Sequence, residues 1–184
     1  FQTANGVSAI GIVGPMTMAK LNSMCGGTGT PAPGTNPGTT PVTGNGLKVM
    51  VAASSPVNSV LVSGQAIGDI GEFAFSNPSS APITVTDVTF NRTGVSNDQT
   101  INNVYLYQGV NRLTDSAGVS NSTFTFTNAG GLFTVPAGAT VVIAVRADIS
   151  SSSTSGQQVR VSVTSVKASG TLDSSTTFPV MGGY

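Results

Sequence analysis

A chain of 184 residues carrying seven basic and seven acidic side chains has no formal net charge, and only 8% of its residues are charged. That balance excludes the electrostatic footprint of a nucleic-acid binder, and no apolar run of about eighteen residues is present to enter a membrane. Histidine is absent and there is one cysteine, Cys25, so neither a Ser-His-Asp triad, a Cys-His pair nor a thiolate cluster can be assembled.

Residues 1–25 differ from the rest. Pro15 suits the first turn of a helix, Met18, Leu21 and Cys25 recur at helical spacing, and Gly26-Gly27 stops the run. Upstream, Asn5-Gly6 and the glycines at 11 and 14 punctuate a loop around Ile10, Ile12 and Val13. From 26 to 46 the composition turns to Gly, Thr, Pro and Asn, an extended linker able to reach on the order of 60 Å. Its Thr-Pro steps are candidate O-glycosylation sites if the protein is secreted. Cys25 reads either as a packed thiol at a helix end or as half of a disulfide to another chain or to a preceding segment.

From Leu47 onward short strand signals follow one another. Leu47, Val49 and Val51 alternate, and Val60-Leu61-Val62 reads as a second strand after the Ser-Ser-Pro break. Phe73 and Phe75 mark the inner face of a strand that stops at Asn77-Pro78. In the next strand Ile83 and Val85 share one parity while Val88 and Phe90 share the other, which predicts a β-bulge near Thr86-Asp87 or a change of sheet. Val104-Tyr105-Leu106-Tyr107 turns through Gln108-Gly109-Val110-Asn111 into Arg112-Leu113-Thr114 as a hairpin. Phe124 and Phe126 alternate with threonines. Pro136-Ala137-Gly138 then feeds the most persistent signal in the chain, with Val141, Ile143, Val145, Ala147 and Ile149 on one face and Val142, Ala144, Arg146 and Asp148 on the other. Val159, Val161 and Val163 close the series. So apolar a central strand needs a second sheet to cover it. The expectation is a mainly β chain whose residues 47–172 form an antiparallel sandwich of about eight or nine strands, with 173–184 as a C-terminal tail.

Two stretches resemble known families. Phe1-Gln2, Asn5-Gly6-Val7, Gly11-Ile12-Val13-Gly14-Pro15, Thr17 and Leu21 resemble the C-terminal half of the three-helix peptidoglycan-binding domain. That resemblance implies a cell-wall glycan as a partner. The succession Asn103-Val104-Tyr105-Leu106-Tyr107, Phe133-Thr134-Val135-Pro136-Ala137-Gly138 and Val145-Arg146-Ala147-Asp148-Ile149 is similar to immunoglobulin-like repeats of large bacterial surface proteins. It implies an immunoglobulin-like sandwich at the cell surface or outside the cell.

Candidate chemistry is sparse. Asp69 and Glu72, three apart, read as solvated turn carboxylates, as a carbohydrate-cleaving pair, or as calcium ligands with Asp98 or Asp115 as additions. Lys48 with Glu72 is the one combination that suggests an internal isopeptide bond, yet Lys48 alternates to the polar face of its strand. Asn91-Arg92-Thr93 and Asn121-Ser122-Thr123 match the N-glycosylation acceptor pattern. Tyr105 and Tyr107 share the face opposite Val104 and Leu106, and either cover the sheet or stack on a sugar or a neighbouring subunit. No glycine-rich phosphate loop follows a strand into a helix, so no cofactor is expected. The expected role is a structural subunit of a bacterial cell-surface assembly (filament, appendage or surface layer), a homo-oligomer or polymer held by subunit contacts. Residues Ile10, Ile12, Val13, Met16, Met18 and Leu21 would gain partners on a neighbour. The alternative is a wall-anchored adhesin or carbohydrate-binding module.

Overall fold

The computed structural model describes residues 44–183. The 1–25 segment, most of the linker and the candidates Ile10, Ile12, Val13, Met16, Met18, Leu21 and Cys25 lie outside the described residues. Among the described residues, ten strands form two antiparallel sheets. The first sheet holds β1 (Lys48–Val51), β2 (Gly68–Ser76), β8 (Thr140–Ile149), β4 (Ile101–Gln108) and β5 (Asn111–Arg112), in that order. The second runs β10 (Val180–Met181), β9 (Arg160–Ala168), β3 (Ile83–Thr93), β6 (Thr123–Thr127), and β7 (Phe133–Val135) also pairs with β3. The order β1-β2-β8-β4 facing β10-β9-β3 reproduces the ABED and GFC sheets of an immunoglobulin constant-type sandwich.

The alternating strands supply the core between the sheets. On β8, Val141, Ile143, Val145, Ala147 and Ile149 are all buried, as their parity predicts. Opposite them Phe90 stacks on Phe124 with centroids 5.1 Å apart, and Phe73 meets Phe90 at 5.8 Å. Each such side chain stabilises the fold by roughly 1.5–3 kcal/mol relative to leaving it in water. The parity change in β3 is a bulge. The register with β9 shifts between Val85 and Asp87, so Ile83, Val85, Val88 and Phe90 all reach the core.

Two expectations are corrected. Val60-Leu61-Val62 is not a strand; the chain from Ala52 to Ile67 is irregular, with Leu61 packed on the core while Val60 is 89% exposed. Three residues with no neighbouring strand gain too few ladder bonds to hold an extended pair. Residues 173–183, within the stretch expected as a C-terminal tail, return to the sandwich. The amide of Asp173 bonds the carbonyl of Leu47 (2.9 Å), and β10 pairs with β9. Gly46 permits the close pass, because a Cβ there would meet the Thr171 carbonyl oxygen at 2.5 Å and its φ is +107°.

Candidate functional site

The outer face of the first sheet gathers the polar side chains of β2, β8, β4 and β5. In β2 the register with β8 shifts between Asp69 and Gly71, which oppose Arg146 and Val145. Residues three apart in a regular strand point to opposite faces. The bulge turns the extra residue, Ile70, to the interior, where it is 5% exposed, and leaves Asp69 and Glu72 together outside. Gly71 lets the sheets approach here, since a Cβ would lie 2.7 Å from Val161 Cγ2. The two acids are therefore strand residues, not turn residues.

Burial and the neighbouring Glu72 push the Asp69 carboxyl from its ordinary 3.8 up to about 6. Arg146, with Nε 3.8 Å from Asp69 Oδ2, opposes the shift. Next along the register, Tyr105 lies beside Arg146. Its hydroxyl donates to Asp148 Oδ2 (2.7 Å), Asn103 Nδ2 donates to the same oxygen (3.2 Å), and the Ile67 amide donates to Oδ1 (3.0 Å). The hydroxyl bond from Tyr105, with the Ile67 and Asn103 bonds, holds the Asp148 carboxyl below its usual range and raises the Tyr105 phenol. The guanidinium of Arg112 lies over the Tyr105 ring at 4.3 Å, and that of Arg146 over the Tyr107 ring at 4.6 Å. The tyrosine pair is thus occupied by the chain's own arginines, and Tyr107 is only 8% exposed.

The other candidate residues do not converge on this face. Asp98 is held by Arg92, whose Nε and Nη2 donate to Oδ1 at 3.1 and 2.9 Å, and by the Ser122 amide at 3.0 Å. The Ser122 amide and Arg92 keep its carboxyl low. Asp115 is fully exposed beside Arg112 at 3.8 Å. Lys48 opposes Ser76, four positions along β2 from Glu72, so the isopeptide partners are apart. Among the described residues no three acidic, cysteine or histidine side chains come together around one point. Asn121 is exposed in a left-handed turn (φ 49°), whereas Asn91 sits half-buried in central strand β3 between Thr123 and Ser162.

Two further features went unforeseen. Asp69 also lines a groove of about 420 Å³ at the end of the sandwich, between the 56–61 loop and the 153–159 loop, with Leu61, Ile70, Thr100, Gln157 and Gln158. The adjoining irregular loop exposes Val57, Val60, Val62 and Ile67. Arg146 and Asp148 carry a signal in their shared parity with Ala144. The groove carries none, because its walls come from loops far apart in the chain. Compared with protein-family models, curated proteins and solved structures, the chain matches none.

Proposed function

We propose that this chain is a structural subunit of a bacterial cell-surface assembly, such as a filament, appendage or surface layer, working outside the cell through contacts between copies. The observation that carries the reading is the distribution of polarity. On the sheet face, Asp69, Arg146, Tyr105, Asp148 and Arg112 are spent on one another, while Val57, Val60, Val62 and Ile67 stay in water on one loop. With zero net charge, little long-range repulsion keeps two copies apart. Residues 1–25 would add contacts through Ile10, Ile12, Val13, Met16, Met18 and Leu21. Electron microscopy of the purified full chain at increasing concentration tests the proposal. Regular fibres or sheets support it, and a monodisperse monomer throughout refutes it.

A second reading, a wall-anchored adhesin or glycan-binding module, is favoured by one feature. The groove beside Asp69 offers a carboxylate, hydroxyls and amides around an aliphatic floor, a lining suited to a neutral sugar. Retention on purified peptidoglycan, lost in Asp69→Asn or on deletion of residues 1–25, would favour it over the first.

A further inference from the structure

The second sheet ends at β6, whose sequence is Thr-Phe-Thr-Phe-Thr. Phe124 and Phe126 are buried in the core, and Thr125 and Thr127 face solvent. The backbone directions follow from the bonds at either end. The Asn128 amide donates to Thr86 of β3 (2.9 Å), whereas the Thr123 amide turns away from β3 to Ser120 (2.9 Å). Odd-numbered residues of this strand therefore aim their N–H and C=O groups out of the sheet. Among the described residues, no partner takes the backbone N–H or C=O of Thr125 or Thr127.

The edges at β1 and β7 are bonded. The outer side of β1 is bonded by the returning chain, with Leu47 to Thr171 at 2.8 Å and Val49 to the Thr176 hydroxyl at 3.2 Å. On β7, the carbonyl of Val135 accepts from Asn77 Nδ2 at 3.0 Å. The β6 edge has no proline, no charge and no bulge, the devices that normally stop one sheet from extending another. Beside it a groove of about 310 Å³ runs between Leu113, Asp115 and Ala117 on one wall and Thr125, Thr127 and Asn128 on the other.

We infer that β6 pairs antiparallel with β6 of a second copy of this chain, joining the two sandwiches through one continuous sheet. This inference rests on the subunit reading and names one of its contacts. The strand is its own complement. Because the Thr123 amide is already taken, the register that uses every free group centres on Phe126. Thr125 then opposes Thr127 of the second copy, twice, giving four N–H···O bonds. Threonine meets threonine on the outer face, as it already does between Thr89 and Thr125 and between Thr84 and Thr134, each hydroxyl pair at 3.1 Å. Phenylalanine meets phenylalanine on the inner face, and no like charges oppose each other because β6 has none.

Hydrogen–deuterium exchange of the full chain across a concentration series reads the pairing. The amides of Thr125 and Thr127 should slow at least tenfold as copies associate, while the Thr123 amide stays unchanged. Thr125→Pro removes one outward N–H at an edge position that tolerates proline, and in analytical ultracentrifugation it should weaken association at least tenfold. Thr125→Lys, a fully soluble edge charge, should do the same and guards against a folding defect in the proline variant. Equal exchange at all concentrations, or assembly of both variants as wild type, overturns the pairing. If fibres form unchanged in both variants, the edge pairing is wrong and the subunit reading stands. If wild type never associates, both fall. Protection already complete at the lowest concentration and relieved by deleting residues 1–43 would show that another segment of the chain fills the edge, and would also overturn it.

Discussion

The two long sides of this sandwich are finished in opposite ways. On one side the chain after β9 folds back along β1, so Leu47 is fully buried and bridged in parallel to Leu172. On the other, β6 stands with threonines in water and backbone groups unclaimed. The closed side uses ladder bonds to complete the fold, and the open side holds equivalent bonds in reserve. An edge need not be sealed for the domain to be stable, provided that its inward side chains are buried.

Changes on the closed side should therefore cost folding, and changes on the open edge should not. Leu47→Ala would leave a cavity where the two sheets are joined, and urea denaturation should show a loss of about 2–5 kcal/mol. The end of the open side is pinned by Arg92, an inward-pointing guanidinium that is 6% exposed and bonded to Asp98, Ser96 and Ser122. Asp98→Ala strands that charge and should cost about 3 kcal/mol. Because the Asp98 pKa is lowered, chiefly by the Ser122 amide, its contribution is present above the ordinary carboxylate range and lost as pH falls through the depressed value. Acid unfolding followed by circular dichroism should be correspondingly sharper in wild type than in the variant.

Asp69 has the opposite sign. A carboxyl raised from 3.8 to about 6 favours folding fully below its unfolded pKa, and that advantage is lost as pH rises through about 6. Asp69→Asn should stabilise the sandwich by about 1 kcal/mol at alkaline pH, after discounting for solvent screening, with no difference below pH ~4. Thermal melts across that range measure it. The smallest effect is expected at the open edge, where Thr125→Lys should change the unfolding free energy of the monomer by less than about 0.5 kcal/mol. A loss of several kcal/mol there would erase the contrast between the two sides.

Much of the fold was legible in residue parity. The alternation on β8 named its buried face, the phase slip in 83–90 located a bulge, and Gly109-Val110 marked a hairpin that the structure forms between Gln108 and Asn111. Parity misled where no partner strand was available, at Val60-Leu61-Val62, and where pairing came from far along the chain, at Val180 and Met181. The candidate site was less legible. Asp69 and Glu72 share a face only because Ile70 is the extra residue opposite a regular β8, and nothing in their spacing announces it. Tyr105 and Tyr107 were visible as a pair on one face, but the arginines that cover them arrive from β5 and β8.

Local chemistry alone settled which long stretches are extended and which side of each long strand is oily, because those depend on side-chain period and on the residue types present. Pairing decided the rest. Which edge is sealed, which acid is desolvated and which ring is capped depend on neighbours brought together across long loops, and period two along a strand carries no information about the strand beside it.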